Sequence, residues 1–231
     1  MTGAAILLEP VFDANGVLRD MVTYRVTHAA GADDLFGRLT AAWTADHAPV
    51  PLRWIGIADF GGKSRAAAEW AESELGAVVV GVYGSSKLFA LTSFWPAEYP
   101  TDQRWSGGGR MVSPRIQVRV VDPVDDTEVA DGAEGELQFQ GPNVVDAYLG
   151  DQSLSEGAFT ADGWFRTGDL GRKVAPDAIE YLCRMGACFG CEGSWWTPRR
   201  SRYVWPPTPR SLSPRWSAYA LRVAARRRSG S

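Results

Sequence analysis

Apolar residues near the start of the chain fall partly at helical spacing and partly in short runs. We predict a short strand, a loop and a helix within residues 1–50. Asp33-Asp34 can cap this helix, because aspartate side chains accept hydrogen bonds from the free N–H groups of a first helical turn. The apolar positions that support the helix are Leu35, Phe36, Leu39 and Trp43.

A strand, a helix and a second strand are predicted next along the chain. Residues 52–60 form an apolar run that is typical of a buried strand, and residues 65–75 have helical patterning. Ser64 can cap this helix and Gly76 can end it. Residues 77–82 are rich in valine, which favours an interior parallel strand. The order strand, helix, strand predicts a βαβ unit.

The pattern changes to alternation in the second half of the chain. Residues 116–122, IQVRVVD, alternate with period two, and residues 135–141, GELQFQG, supply a second strand. Asp-Asp and Asp-Gly pairs between them mark turns, and residues 174–182 add a short strand. We therefore predict an α/β fold with a βαβ parallel-sheet portion, a small antiparallel meander or barrel portion and an irregular C-terminal tail.

The tail begins after Gly186, where all periodicity ends. Residues 187–231 hold four of the ten tryptophans and five of the 14 prolines, and nine arginines against one glutamate. The remaining residues are acidic, with 15 Lys+Arg and 26 Asp+Glu. This change in composition predicts a boundary between residues 1–186 and residues 187–231, a basic tail that is disordered or frame-shifted.

Composition excludes several classes of protein. The hydrophobic share of 45% is ordinary for a globular protein. No apolar run is long enough to span a membrane, and the N-terminus has no basic start before its apolar stretch, so we expect a cytoplasmic protein. Three clustered cysteines do not suggest a disulfide framework, and we expect Cys183 to serve in packing. Cys188 and Cys191 lack two further zinc ligands nearby, so no metal site is predicted.

Two later segments carry the strongest motifs. They read GELQFQGPNVVDAYLG (residues 135–150) and AFTADGWFRTGDLG (residues 158–171), and an earlier segment reads YGSSK (residues 83–87). Their residues and spacing resemble the adenylate-forming (AMP-binding) ligase superfamily, which includes acyl-CoA synthetases. The resemblance covers roughly residues 5–186. It implies that residues 1–186 are a partial AMP-binding (adenylate-forming) domain, a fragment of the large N-terminal domain of such an enzyme.

The YGSSK segment matches the family motif Y-G-[ST]-[ST]-E. The resemblance implies that Tyr83 packs on adenine and that Gly84, Ser85 and Ser86 lie near phosphate. The family has a glutamate for Mg²⁺ where this chain has Lys87. An ammonium group cannot ligate a metal ion and repels it, although Lys87 can contact a phosphate directly.

Two residues are implied to hold the ribose of the nucleotide. Asp169, in T-G-D at a tight turn, accepts the ribose hydroxyls, and Arg184 also reaches the ribose. His28 follows a V-T sequence that resembles the wall of the family's acyl pocket, or else it is a structural histidine. Glu136 and Gly141 shape a strand and its exit, and we assign them no chemistry.

Residues 61–64, GGKS, resemble the end of a P-loop. The spacing fails, because five residues separate Gly56 from Gly62 where a P-loop has four. We therefore predict an ordinary turn and helix cap at this point.

The resemblance implies ATP, AMP and Mg²⁺ as ligands, and a carboxylic acid, on the sequence alone a fatty acid, as the substrate joined to CoA. Residues 1–231 lack the family's phosphate loop, its metal glutamate and its lid lysine, so we expect no activity from the fragment. Two alternatives remain open: a non-catalytic nucleotide- or partner-binding remnant, and association with nucleic acid through the arginine-rich tail, which is the less favoured. The tail also admits a shifted reading frame, because codons for residues 187–202 can be chosen that spell VLRLRGFLVDPAEIE, similar to the family's lid motif.

Overall fold

The computed structural model describes residues 3–44, 49–148, 152–185, 189–191 and 194–196. The chain divides into two compact units. The first comprises Met1–Gly84 and Leu91–Arg110, and the second comprises Ser85–Ala90 and Met111–Ser231. The predicted α/β class is confirmed, with parallel strands first and antiparallel strands later.

The first unit combines parallel strands with helices. Strands β1 and β2 pair in parallel, as do β2 and β3, whereas β3 and β4 pair antiparallel, and the order is β1-β2-β3-β4-β5. The elements are α1 (Ala14–Thr23), β1 (His28–Ala32), α2 (Asp33–Ala42), β2 (Trp54–Ala58), α3 (Ser64–Leu75), β3 (Val78–Tyr83), β4 (Ser93–Phe94), α4 (Thr101–Arg104) and β5 (Gly108–Met111), whose last residue counts with the second unit.

The predicted βαβ unit is present as β2, α3 and β3. Gly76 ends α3 in the left-handed conformation, with φ of 63°, as predicted. Ser64 is not the cap, because it is the first helical residue and Lys63 occupies the N-cap position without a side-chain bond. The Ser64 hydroxyl instead donates to a carboxylate oxygen of Asp59 at 2.8 Å.

The prediction for residues 1–50 is wrong in its order of elements. The chain forms α1, β1 and α2 there, so one helix was missed. Asp13 caps α1 by accepting a bond from the Gly16 N–H at 2.8 Å, and α1 buries Val17, Leu18 and Met21. Asp33 does not cap α2, since its N-cap is Ala32 without a side-chain bond.

The core of the first unit lies where the helices cover the parallel strands. Helices α1, α2 and α3 give their apolar faces to it, and the strands give their central residues. Its largest fully buried members are Phe36, Leu18, Leu39, Ile55 and Ile57. These buried side chains hold the strands and helices of the first unit in place, and the loops that follow the strands are positioned by them.

The second unit is an antiparallel meander. Strands β6, β7, β8 and β9 pair consecutively in an open row, so the meander prediction is confirmed over the barrel. The elements are a 3₁₀ turn (Ser86–Leu88), β6 (Gln117–Val121), β7 (Glu134–Gln140), α5 (Gln152–Ala158), β8 (Phe165–Ala175) and β9 (Ala178–Arg184). Leu137, Phe139 and Ile179 are fully buried and anchor the sheet.

Two short strands lie within the predicted irregular tail. These are β10 (Phe189–Cys191) and β11 (Ser194–Trp196), which pair antiparallel and contain aromatic residues that favour strands. The other predictions for residues 187–231 concern positions outside the described residues. Across the described parts of the chain, no helix is long and apolar enough to cross a membrane.

Candidate functional site

The Thr167-Gly168-Asp169 segment lies inside strand β8, which corrects the prediction of a tight turn. The register shifts here, because Leu170 pairs with Glu136 and Arg166 pairs with Gln138. Three residues of β8 therefore stand opposite one residue of β7 and form a bulge. Gly168 has φ of 70°, a left-handed conformation that glycine adopts without strain.

Asp169 and Arg184 are brought together by the pairing of β8 with β9, where they occupy the same register position. Nη1 of Arg184 lies 3.0 Å from Oδ1 of Asp169 and also donates to the carbonyl of Thr167. The Asp169 side chain is 10% exposed and that of Arg184 is 59% exposed. A buried acceptor beside an exposed guanidinium suits a ligand that carries neighbouring hydroxyl groups.

The backbone of the bulge is held by specific hydrogen bonds. The Thr167 hydroxyl donates to the Leu137 carbonyl and accepts the Asp169 N–H at 3.0 Å. The Gly168 N–H donates to Oε1 of Glu136 at 2.9 Å. Sequence reasoning gave Glu136 no role, because nothing in local spacing shows that its carboxylate crosses to the next strand.

Glu136 belongs to a polar network on the meander. Gln138 donates to both Glu136 and Asp126, and Arg166 pairs with Asp126 through both of its terminal nitrogens. Burial raises the pKa of the Glu136 carboxyl above its ordinary value, although the bonds from Gln138 and Gly168 act against this. The bonds from Arg166 lower the pKa of Asp126. These hydrogen bonds and the ion pair stabilise the meander next to the bulge.

The YGSSK segment is divided between the two units. Tyr83 ends β3 in the first unit and is buried, whereas Ser85, Ser86 and Lys87 begin the segment that belongs to the second unit. The Lys87 carbonyl accepts the Val145 N–H at 3.0 Å, which fixes the 3₁₀ turn within the second unit. The predicted nucleotide contacts of Tyr83, Gly84, Ser85 and Ser86 remain predictions.

The loop after Lys87 has an unusual backbone. Phe89 and Ala90 have positive φ values of 56° and 70°, which costs energy for residues that carry a Cβ atom. Hydrogen bonds from Leu88 and Ala90 to the Ser85 carbonyl hold the loop in this form. Backbone strain of this kind clusters at functional sites, so the loop is a candidate for ligand contact.

His28, the acyl-pocket candidate, is exposed at the start of β1. Its ring lies 6.2 Å from the ring of Trp54, and Trp54 packs edge-on against Phe94 with centroids 6.4 Å apart. Nδ1 of His28 lies 2.9 Å from the Thr27 hydroxyl. The first unit therefore carries a row of rings that offers an apolar aromatic surface.

The GGKS segment forms a turn, not a phosphate loop. The buried carboxylate of Asp33 accepts the N–H groups of Phe60, Gly61 and Lys63, with the last two bonds at 2.9 Å and 3.0 Å. An anion already occupies the N–H groups that a phosphate loop offers to its ligand. The turn prediction therefore agrees with the structure, whereas the predicted helix cap is absent and Asp33, distant in the sequence, holds the turn before the helix.

The expectations from the sequence for a metal ion and a cofactor concern the side chains that could hold them. No cluster of three metal-ligating side chains occurs among the residues that the structure describes. The carboxylate of Asp169 and the guanidinium of Arg184 can accept from and donate to hydroxyl groups, whereas the Lys87 ammonium group cannot ligate a metal ion. Cys183 is buried, which agrees with the expectation that it serves in packing, and it is also disulfide-bonded. The Cys188 and Cys191 side chains lie outside the described residues.

Comparisons with known proteins agree with the motifs. A family model described as "AMP-binding enzyme" matches residues 1–149. The chain is 28% identical to the 2-succinylbenzoate–CoA ligase of Bacillus licheniformis, over 73% of this chain and 34% of that protein. It is 32% identical to the indoleacetate–CoA ligase of Aromatoleum aromaticum, over 74% of this chain and 32% of that protein. The chain thus spans about a third of the length of these relatives.

A solved structure shows the same fold. ATP-bound MatB from Rhodopseudomonas palustris matches with a TM-score of 0.64 at 23% identity, covering 77% of this chain and 34% of that one. At this identity the likeness concerns the fold alone. Together with the family model, it confirms the resemblance that the motifs indicated.

Proposed function

Because this chain belongs to the AMP-binding enzyme family, we propose that it is the nucleotide-binding portion of an ATP-dependent acyl- or aryl-CoA ligase. The observation that carries the proposal is the paired arrangement of Asp169 and Arg184 on adjacent strands, 3.0 Å apart. A carboxylate can accept both hydroxyls of a ribose, and the exposed guanidinium can donate to the same sugar. Tyr83 would supply an aromatic face for the adenine ring.

The substrate that we propose is a carboxylic acid with an aromatic group. Sequence analysis alone favoured a fatty acid, but the two relatives are named for 2-succinylbenzoate and indoleacetate, which both carry aromatic rings. The ring row of His28, Trp54 and Phe94 is compatible with such an acid. In the full reaction of the family, the acid reacts with ATP to give an acyl-AMP and pyrophosphate, and the acyl group then passes to CoA with release of AMP.

Residues 1–231 are proposed to bind nucleotide without completing the ligase reaction. Lys87 places a positive charge where the family holds Mg²⁺ with a carboxylate, and two like charges at short range repel by several kcal/mol at an effective dielectric constant of about 20. The family's phosphate loop and lid lysine also have no matching motif in these residues. Transfer at phosphorus depends on such a charged cradle.

We propose that the nucleotide site lies wholly within residues 1–186. Hydrogen bonds that hold Asp169, Arg184 and the backbone of the bulge come from β7, β8 and β9. A chain shortened to residues 1–186 is expected to bind AMP with the affinity of residues 1–231. A loss of affinity on shortening would show that the tail takes part in the site.

The test compares binding with turnover in the same protein. AMP and ATP are titrated calorimetrically, and pyrophosphate release is followed with ATP and a panel of aryl and fatty acids. We expect saturable binding of both nucleotides and no pyrophosphate above background. Absence of nucleotide binding would overturn the proposed site, and pyrophosphate release that disappears in Asp169→Ala would overturn the proposed inactivity.

A further inference from the structure

The bulge in β8 leaves backbone donors that no strand partner can satisfy. Thr167, Gly168 and Asp169 stand opposite Leu137 alone, so the regular ladder is interrupted. The Asp169 N–H is satisfied within the bulge by the Thr167 hydroxyl, at 3.0 Å. The Gly168 N–H is satisfied from outside the bulge, by the carboxylate of Glu136 at 2.9 Å. The N–H of the peptide that joins Thr167 to Gly168 thus depends on one side chain of β7, that of Glu136.

Both oxygens of this carboxylate are engaged, which fixes its orientation. Oε1 accepts the Gly168 N–H, and Oε2 accepts Nε2 of Gln138 at 3.1 Å and faces Nη1 of Arg166 at 3.8 Å. Two further charged groups belong to this network: Asp126 is bound to Arg166 and Gln138, and Arg119 donates to Gln138 at 2.9 Å. Glu136 is 4% exposed. A buried carboxylate is costly unless each oxygen is paired, so the arrangement is specific.

We propose that Glu136 is a positioning residue of the nucleotide site, which holds the Gly168 N–H and thereby sets the direction of the Asp169 carboxylate toward the ribose hydroxyls. This inference rests on the proposed function. Without the acceptor, the Gly168 N–H loses its protein partner, and the peptide is released to rotate toward another acceptor. Glycine permits this rotation, and the rotation redirects the next residue, Asp169.

The opposite side of Asp169 is already restrained, so the role of Glu136 is distinct. Arg184 holds one oxygen of Asp169 and the Thr167 carbonyl, and the Met185 N–H donates to the Gly168 carbonyl at 2.9 Å. Those contacts all come from β9 and its end. Two contacts come from β7: the Leu137 carbonyl accepts the Thr167 hydroxyl, and Glu136 accepts the Gly168 N–H, which belongs to the peptide whose carbonyl is that of Thr167.

The experiment measures how strongly the site depends on the ribose hydroxyls. Dissociation constants are obtained for AMP and for 2′,3′-dideoxy-AMP, and their ratio reports only the contribution of the two hydroxyls. The ratio is measured in the whole chain and in the variants Glu136→Ala, Glu136→Gln and Asp126→Asn. Asp126→Asn is the matched control, since it removes a charge from the same network without contact to Gly168.

The expected result is a ratio of about 10 or more in the unchanged protein, as two lost hydrogen bonds to a carboxylate predict. Glu136→Ala should lower it to about 2 or less, whereas Glu136→Gln, which keeps an acceptor oxygen, and Asp126→Asn should retain most of it. If Glu136 had only a structural role, Glu136→Ala would weaken the binding of AMP and of 2′,3′-dideoxy-AMP equally. The ratio of their dissociation constants would then stay unchanged, and this result would overturn the inference. A ratio near one in the unchanged protein would overturn the proposed ribose site itself.

Discussion

Nη1 of Arg184 donates both to Oδ1 of Asp169, at 3.0 Å, and to the carbonyl of Thr167, so one guanidinium joins the side chain and the backbone of the bulge. The Asp169 carboxylate is buried, whereas most of the Arg184 side chain is exposed. The arginine therefore forms the rim of the candidate site and the aspartate its floor.

Replacing Arg184 with alanine should weaken AMP binding by about 3- to 10-fold, as expected for the loss of one or two charge-assisted hydrogen bonds. The measurement is a calorimetric titration of AMP. Arg172→Ala is the matched control, because Arg172 also lies on this sheet and pairs with Glu180, away from Asp169. Equal loss of affinity in both variants would show a general effect of removing positive charge.

Gly168→Ala should destabilise the protein by about 1–2 kcal/mol, because the left-handed conformation is unfavourable for a residue with a Cβ atom. The added methyl group would also lie 3.4 Å from the Arg184 guanidinium. Urea denaturation gives the free energy of unfolding. Gly157→Ala is the control, since Gly157 lies in α5 with no atom within 4 Å of an added Cβ. Equal stability of the two variants would contradict the strain argument.

The local pattern predicts much of the fold. Three elements can be predicted from neighbouring residues alone. They are helix α3, which ends at Gly76, strand β3 with its run of valines, and strand β6 with its alternating pattern. Strand β8 was missed because its glycines, Gly168 and Gly171, are typical of turns. Gly171 in fact packs against Leu137 and the Glu180 carbonyl, where a Cβ atom would come within 2.8 Å of either.

Contacts between distant residues could not be predicted. Asp33 accepts bonds from Gly61 and Lys63, and Glu136 accepts one from Gly168, and in each case about thirty residues separate the partners. The sequence shows where Asp33 and Glu136 lie. The N–H groups that they bind depend on the register of strands or on the approach of a helix. Motif resemblance indicated Asp169 and Arg184, whereas only the pairing of β8 with β9 shows their contact.

Lys87→Glu should make ATP binding depend on Mg²⁺. In the unchanged protein the ammonium group repels the ion, so ATP affinity should be similar with and without Mg²⁺. The variant provides a carboxylate, and its affinity should rise on addition of Mg²⁺. ATP titrations with Mg²⁺ and with EDTA make the comparison. Lys173→Glu has the same charge change on β8, and a matching Mg²⁺ response there would contradict a site-specific effect.

Asp59→Asn should stabilise the protein at neutral pH by about 0.5 kcal/mol, a small value because the carboxyl is partly exposed. Burial, and then repulsion from Asp33, raise the pKa of Asp59, while the bond from the Ser64 hydroxyl opposes them. The folded state therefore favours the protonated acid. The stability of the unchanged protein is retained below the ordinary pKa of 3.8 and falls as pH rises through the raised value.

Thermal or urea denaturation at several pH values gives the difference in free energy of unfolding between the Asp59→Asn variant and the unchanged protein. The gain in the Asp59→Asn variant should shrink as pH falls toward 3.8 and disappear below it. Asp34→Asn is the control, since Asp34 is exposed and pairs only at the surface with Lys63 among the ion pairs described. A gain that is constant with pH would contradict the assigned cause.

The central claim, that Asp169 holds the ribose of a bound nucleotide, is tested most directly by AMP titration into the unchanged protein, Asp169→Ala and Asp162→Ala. Asp162 is a carboxylate on the same unit that pairs with Arg119, away from the bulge. We predict saturable binding in the unchanged protein and in Asp162→Ala, and a loss of about 10-fold or more in Asp169→Ala. A folded Asp169→Ala variant that binds AMP as tightly as the unchanged protein would contradict the claim.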